Sequence, residues 1–252
     1  MSEPRTILTV DIGNTALKVC VFEGDHLIQS SVGIIPDMAG VLEAVGAMLT
    51  FNSADGAAIC SVGADPAPLV ELLAGEYELP VVALNPETPL PVEVRYGTRT
   101  TLGADRVAAA VGVSSPDCPV LVVDAGTAVT ADLVAGECFL GGNISPGLKL
   151  RFRSLADYTS RLPLVTPDGA TPDFGHDTVT AIRSGVVRGL VAEIACDVER
   201  ARKISDNLKI VLTGGDASFL APLLREHNVE ADIDNEAVGR GLVRIFNYNY
   251  PL

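Results

Sequence analysis

No stretch of the chain comes near the roughly 20 uninterrupted apolar residues that span a bilayer. The opening Met1-Ser2-Glu3-Pro4-Arg5 leads into a β-branched run without the apolar segment of a signal peptide. The expectation is a protein of the cytoplasm with no membrane partner. Positive charge is scarce too: 18 Lys and Arg stand against 32 Asp and Glu, a net charge of -14. Nucleic acid and anionic lipid surfaces, which call for a basic face, are therefore not expected partners. A small phosphorylated ligand stays open, because local amides, a few cations and a bound metal hold such a group, not the field of the whole molecule. Cysteine pairs are missing as well. Cys20, Cys60, Cys118, Cys138 and Cys196 are scattered, form no C-x-x-C, and mostly sit in apolar runs. They read as small reduced core residues, which excludes a disulfide framework and a structural zinc site. His26, His176 and His227 are too far apart in sequence to suggest a ligand set.

What is present is enough apolar material for real cores: 48% of 252 residues, suited to one large domain or two compact lobes. Thr6 to Val10 is a short β-branched strand, followed by the glycine-bearing turn Asp11-Ile12-Gly13-Asn14-Thr15 and a second apolar run, Leu17 to Phe22. A turn at Glu23-Gly24-Asp25 leads to a third strand, His26 to Ser30. After Pro36, Asp37 is a good N-cap for a helix from Met38 to Leu49. A strand at Ala57 to Cys60, a helix from Pro66 to Ala74 and a strand at Val81 to Leu84 complete a βββαβαβ order.

The order then begins again. Val120 to Val123 leads into Asp124-Ala125-Gly126-Thr127-Ala128, then Val129 to Val134, a turn at Ala135-Gly136-Glu137 and Cys138-Phe139-Leu140. Matching Asp11 to Asp124 and Gly24 to Gly136 needs a gap of one residue over about 25 positions, an internal duplication at the level of elements. One long helix is predicted from Asp177 to Lys203, then a buried strand at Ile210 to Leu212, a helix from Asp216 to Glu226 and a terminal helix from Glu236 to Phe246. The expected fold is α/β: two duplicated lobes, residues 1–118 and 119–252, each with a mixed sheet. Between them Leu79 to Thr101 carries Pro80, Pro86, Pro89 and Pro91 and cannot be a regular helix. It reads as a pocket rim or, in its first part, as a linker.

An Asp-x-Gly turn with small polar neighbours at a hairpin tip suits a phosphate. Glycine lets backbone approach, Asn14 and Thr15 offer donors, and Asp11 can hold a hydrated Mg²⁺. A plain structural turn is the alternative for one such element; two of them, each opening a repeated βββ unit, favour chemistry. Lys18 follows on the second strand, able to reach a phosphate or simply solvated. Gly103-Ala104-Asp105-Arg106 ends the proline-rich loop ahead of a helix. Asp105 in the first turn can be a cap, but a cation beside it opposes the helix dipole unless an anion is near. A carboxylate that accepts a hydroxyl proton, paired with a planar cation for a carboxylate or phosphate, fits both residues. Gly141 to Gly147 and Thr213-Gly214-Gly215 are turns that admit a ligand or merely connect elements. Thr178 beside Asp177 is a cap or a contact.

Two such hairpin turns on stacked lobes are, by fold analogy, the arrangement of actin, hexokinase and Hsp70-like ATPases, with ATP in the cleft between RNase H-like lobes. The ordered series Asp11 to Thr15, Gly103 to Arg106, Asp124 to Thr130, Gly141 to Gly147, Leu162-Pro163, Gly175 to Thr178 and Thr213 to Gly215 resembles that of the type III pantothenate kinases. The resemblance implies transfer of the ATP γ-phosphate to pantothenate, the first step of coenzyme A synthesis, by a homodimer. It implies a phosphate-binding segment of Asp11, Ile12, Gly13, Asn14, Thr15, Ala16, Leu17 and Lys18, with Asp11 near Mg²⁺, and a nucleotide contact at Thr127. It makes Asp105 the proton acceptor, with Tyr96, Gly103, Ala104 and Arg106 around pantothenate and Thr178 reaching it from the second lobe. Asp124 becomes a ligand of K⁺ or NH₄⁺. The alternatives are another small-molecule kinase on the same scaffold, expected to lack the Gly103 to Arg106 element, and a noncatalytic nucleotide-binding regulator, expected to lack Asp105 or Asp124.

Overall fold

The computed structural model describes residues 4–34 and 37–251. Met1 to Glu3, Ile35, Pro36 and Leu252 lie outside these. In chain order the elements are β1 (Thr6–Ile12), β2 (Ala16–Glu23), β3 (His26–Ile34), α1 (Met38–Phe51), β4 (Gly56–Ser61), α2 (Ala67–Gly75), β5 (Val81–Ala83), β6 (Glu93–Val94) and α3 (Ala104–Val113). There follow β7 (Val120–Ala125), β8 (Ala128–Ala135), β9 (Cys138–Pro146), α4 (Leu148–Asp157), α5 (Thr178–Arg202), β10 (Lys209–Thr213), α6 (Ala217–Arg225), β11 (Asp232–Ile233) and α7 (Ala237–Asn249). They group into two compact units. The first holds the chain up to Ser114 together with Glu137–Leu140 and everything from Glu236 onward; the second holds Ser115–Gly136 and Gly141–Asn235.

The first unit is built on a five-stranded sheet in the order β3-β2-β1-β4-β5. The hairpin pairs are antiparallel and β1-β4-β5 are parallel, so the sheet is mixed. Side chains alternate across a strand, and both faces of β1 are covered. Leu8, Val10 and Ile12 share one buried cluster with Leu17, Val19, Val21, Ala57 and Ile59 and with Val41, Val45, Leu69 and Leu73 of α1 and α2. The other face of β1 carries Ile7, Thr9 and Asp11. There α7 packs closely enough that a side chain at Gly239 would touch Phe22 and Thr9. The expected cap of α1 is present: the Asp37 carboxylate accepts the Gly40 N–H at 3.0 Å.

Helices α3 and α7 meet backbone to backbone. A Cβ at Gly112 would overlap the Ala237 carbonyl, and one at Gly241 would overlap the Ala108 carbonyl. Glycine at both positions is therefore a condition of the contact, which seats α3, and the loop that opens it, on the sheet.

The second unit repeats the plan, with strand order β11-β10-β7-β8-β9. β10 is parallel to β7 and to β11, and β7-β8 are antiparallel. Its core joins Leu121, Val123, Ala125, Val129 and Ala131 of the sheet to Ile182, Val186, Leu190, Ile194 and Val198 of α5 and Leu220 and Leu224 of α6. The four-residue spacing along α5 is the apolar stripe that a helix turns toward one partner. α5 starts with a capping box: Asp177 accepts the Thr180 N–H at 2.9 Å, while the Thr180 hydroxyl accepts the Asp177 N–H at 3.3 Å. Among the described residues, no helix is long and apolar enough to cross a membrane.

Candidate functional site

In the first unit the β1-β2 ladder runs out at Ile12↔Leu17, and the Gly13 N–H closes the turn on the Ala16 carbonyl at 3.0 Å. Asn14, Thr15 and Ala16 at its tip are exposed, while Ile12 and Leu17 anchor it in the core. Of the eight segment residues named from the sequence, the turn thus presents its middle and buries its shoulders. Lys18, opposite Asp11 in the ladder, pairs with Glu236 at 2.9 Å. Glu236 is the N-cap residue of α7, so the start of that helix helps to place the lysine.

Asp11 lies beside Cys60 of β4 in the parallel register, and the Cys60 thiol donates to its Oδ1 at 3.1 Å. Burial pushes the Asp11 carboxyl up to about 6; the Cys60 hydrogen bond opposes that rise, the Asp105 carboxylate adds to it and Lys18 opposes it. Burial, with Asp11 next to it, also holds the Cys60 thiol well above its usual range, so it stays a protonated donor.

Asp105 sits in the first turn of α3 and its Oδ1 accepts the Arg106 N–H at 2.8 Å. The N-cap position is Gly103, which supplies no side chain, so Asp105 satisfies an amide of the first turn from inside it. Arg106 is 6% exposed. Its guanidinium lies 5.7 Å from the centre of the Tyr96 ring and 5.9 Å from that of Phe139, within cation–π range of both. The two rings meet edge to face at 6.1 Å. Tyr96, named apart from the Gly103 to Arg106 element, thus meets it through Arg106.

The second unit holds the other named residues. Asp124 stands near the end of β7, in register with Thr130 of β8 and Thr213 of β10. The turn after it is closed by the Gly126 N–H on the Ala128 carbonyl at 3.0 Å. The Gly147 N–H, ahead of α4, donates to the Thr127 carbonyl at 3.0 Å. Gly214 has a φ of +90°, and a Cβ there would overlap the Asp124 carboxylate and the Ala125 carbonyl, so the turn after β10 needs glycine to lie against the aspartate. Asp216 closes the group with its N–H on the Ala125 carbonyl at 3.0 Å. Its carboxyl is raised by burial, with Lys149 opposing. Thr178 opens α5, is exposed, and is not one of the capping groups, a task taken by Asp177 and Thr180.

Among the described residues no group of three or more His, Cys, Asp or Glu is arranged to hold a metal. In phosphoryl-transfer sites Mg²⁺ is usually bound by one or two carboxylates, with the substrate phosphates completing the shell. Asp11, a desolvated carboxylate at the foot of the glycine-bearing turn, is suited to such a cation. The Asp124 carboxylate lies close to the Ala125 carbonyl, two hard oxygen donors at the turn after β10. Cys60, Phe139, Glu236 and Asp216 were not singled out from sequence. Only strand register and helix packing bring them to the named residues, and no local pattern marks them.

The sequence profile of type III pantothenate kinases matches residues 7–200. A type III pantothenate kinase of Porphyromonas gingivalis is 39% identical over 248 residues, covering 96% of this chain and 98% of that one. Among solved structures, a conserved Baf family protein from Campylobacter jejuni superposes with a TM-score of 0.64 at 24% identity, covering 97% of this chain and all of that one. A ROK family glucokinase from Streptomyces griseus, solved with glucose and AMPPNP, gives a TM-score of 0.57 at 14% identity, covering 96% and 98%. At those identities the structural neighbours speak for the fold: the duplicated mixed-sheet architecture of the actin-like ATPases and sugar kinases.

Proposed function

The chain belongs to the type III pantothenate kinase family, and from that premise we propose that it transfers the γ-phosphoryl group of ATP to the primary hydroxyl of pantothenate, yielding 4′-phosphopantothenate for coenzyme A synthesis. The observation that carries the reading is the arrangement of the first unit, where Asp11 and Lys18 face each other beside a glycine-bearing hairpin turn and Asp105 stands beside Arg106 in the first turn of α3, with Arg106 against Tyr96. Phosphoryl transfer asks chiefly for positioning and for stabilisation of spread negative charge. Asp105 orients the attacking hydroxyl and takes its proton. The amides and side chains of the Gly13 to Thr15 turn, with Lys18, receive the phosphates. Arg106, held over Tyr96 and Phe139, offers a cation on the pantothenate side. Asp11 holds the divalent ion, Mg²⁺, which when bound offsets charge on the transferred group. Asp124 holds K⁺ or NH₄⁺, and Thr127 contacts the nucleotide.

A coupled assay with pantothenate, ATP, Mg²⁺ and K⁺ tests the reading directly. The expected result is ADP release dependent on pantothenate, low in Na⁺ or Tris buffer and restored by K⁺ or NH₄⁺. No pantothenate-dependent turnover under any of these conditions would sink the function; full activity without either monovalent ion would remove the role given to Asp124.

Thr178 is proposed as a pantothenate contact. Thr178→Val keeps nearly the same volume and removes the hydroxyl, so pantothenate binding should weaken by about 1 to 3 kcal/mol as a substrate polar group loses its partner. Because Asp177 and Thr180 carry the cap, the melting temperature should hardly move. A large melting shift with an unaltered Michaelis constant would make Thr178 structural.

A further inference from the structure

Cys60 is a buried polar group that the reaction as written does not use. Its position follows from register: β1 and β4 run parallel with Asp11↔Cys60 as neighbours, and neighbouring residues in a ladder point to the same face. Cys60 is fully buried, and its Sγ lies 3.1 Å from Asp11 Oδ1. A carboxylate turns easily about its last torsion, which has broad wells, and its two oxygens offer about four acceptor positions. One fixed donor on Oδ1 settles which oxygen is left for a ligand. The Cys60 thiol is thus a side-chain hydrogen-bond partner of the Asp11 carboxylate, whose backbone is held in the ladders of β1.

We propose that Cys60 is a positioning residue for the phosphate-bound divalent cation: by donating to Oδ1 of Asp11 it locks the carboxylate and leaves Oδ2 to meet the metal. Carboxylates that ligate metals are themselves commonly hydrogen-bonded, and losing that outer partner typically costs about 10- to 100-fold in affinity or activity. The competing explanation is packing. Cys60 lies on the same face of β4 as Gly56 and Ala58, and a Cβ at Gly56 would already overlap the Phe246 ring of α7. A small residue is needed there whether or not it donates. The two explanations part company at alanine, which fits the space and donates nothing, and at serine, which fits and donates.

The inference rests on the kinase reading above, so its test needs a measurement independent of turnover. Native protein, Cys60→Ala and Cys60→Ser are titrated with Mn²⁺·ATP by electron paramagnetic resonance. The same proteins are assayed for the Mg²⁺ dependence of the rate, the pantothenate Michaelis constant and the melting temperature. The expected result for Cys60→Ala is Mn²⁺·ATP binding weakened about tenfold, with a matching rise in the Mg²⁺ needed for half-maximal rate and no change in the pantothenate Michaelis constant. Cys60→Ser should recover most of both losses. Native-like Mn²⁺·ATP binding in Cys60→Ala overturns the proposal, and so does a serine variant indistinguishable from alanine. If Cys60→Ala gives no folded protein, the near-isosteric pair Cys60→Val and Cys60→Thr, which share one packing cost and differ in the donor, decides on the same criteria. Native protein that binds Mn²⁺·ATP but does not phosphorylate pantothenate sinks the kinase reading alone and leaves the binding titration to judge Cys60.

Discussion

Asp105→Asn is expected to lower turnover by roughly a hundredfold or more, the usual scale for removing a positioned proton acceptor, while leaving the fold and pantothenate binding close to native. The geometry makes the change a clean one. The asparagine carbonyl can still accept the Arg106 N–H that Oδ1 now receives at 2.8 Å, so the first turn of α3 keeps its local partner. What goes is the negative charge. Burial remains the main reason that Asp11 sits high, but the contribution of Asp105 to that rise disappears with the carboxylate. The variant should therefore fold at least as stably as the native chain. Steady-state kinetics and a thermal melt on the same preparation check this. Near-native turnover would reduce Asp105 to a helix-capping group, and a collapse in melting temperature would show that its charge is structural.

Gly241→Val should have the largest effect on stability of any single change discussed. A Cβ at this position meets the carbonyl of Ala108, with the Gly112 N–H 3.0 Å away, and backbone cannot rotate aside as a side chain can. α7 must then back away from α3, opening the packing around Ala109, Val111, Leu242 and Phe246, all buried. Overpacking typically costs about 1 to 3 kcal/mol where side chains can shift. Against rigid backbone on both sides the cost should be at the top of that range or above it. At about 2 to 4 °C per kcal/mol for a chain of this size, a melting shift of roughly 10 °C or insoluble protein is the expected outcome. Activity should fall with it, because Asp105 and Arg106 lie in the first turn of α3. Gly189→Ala is the control. This glycine is exposed in the middle of α5, with open space where a Cβ would go, so alanine should add about 0.5 to 1 kcal/mol of stability. A Gly241→Val protein melting within a few degrees of native would show that the two helices are not bound to this separation.

Local patterns in the sequence carried much of the architecture. Asp37 ahead of an apolar periodic stretch marked the start of α1, and Asp177 that of α5, because a capping carboxylate and a 3.6-residue period act within a few neighbouring positions. The glycine-bearing turns after Val10 and Val123, each followed by two further strands, revealed the duplication, since a hairpin is written in its own turn and flanks. β6 and β11, of two residues each, escaped notice because so short a segment has no period to read.

The sequence by itself determined most of the strands, helices and turns, though β9 runs on to Pro146 through a stretch read as a turn, and it placed Asp11, Asp105 and Asp124 at the ends of such elements. Tertiary structure alone decided what those residues touch. Cys60 reads in sequence as a small reduced core residue, and it becomes the donor to Asp11 only because β4 is added parallel to β1 in one register. Arg106 lies over Tyr96 and Phe139, and Lys18 on Glu236, across separations that no local rule spans. The physical reason is the range of the forces involved. Turn preferences, capping and periodicity act between near neighbours along the chain, whereas register and helix seating follow from packing all the buried side chains at once.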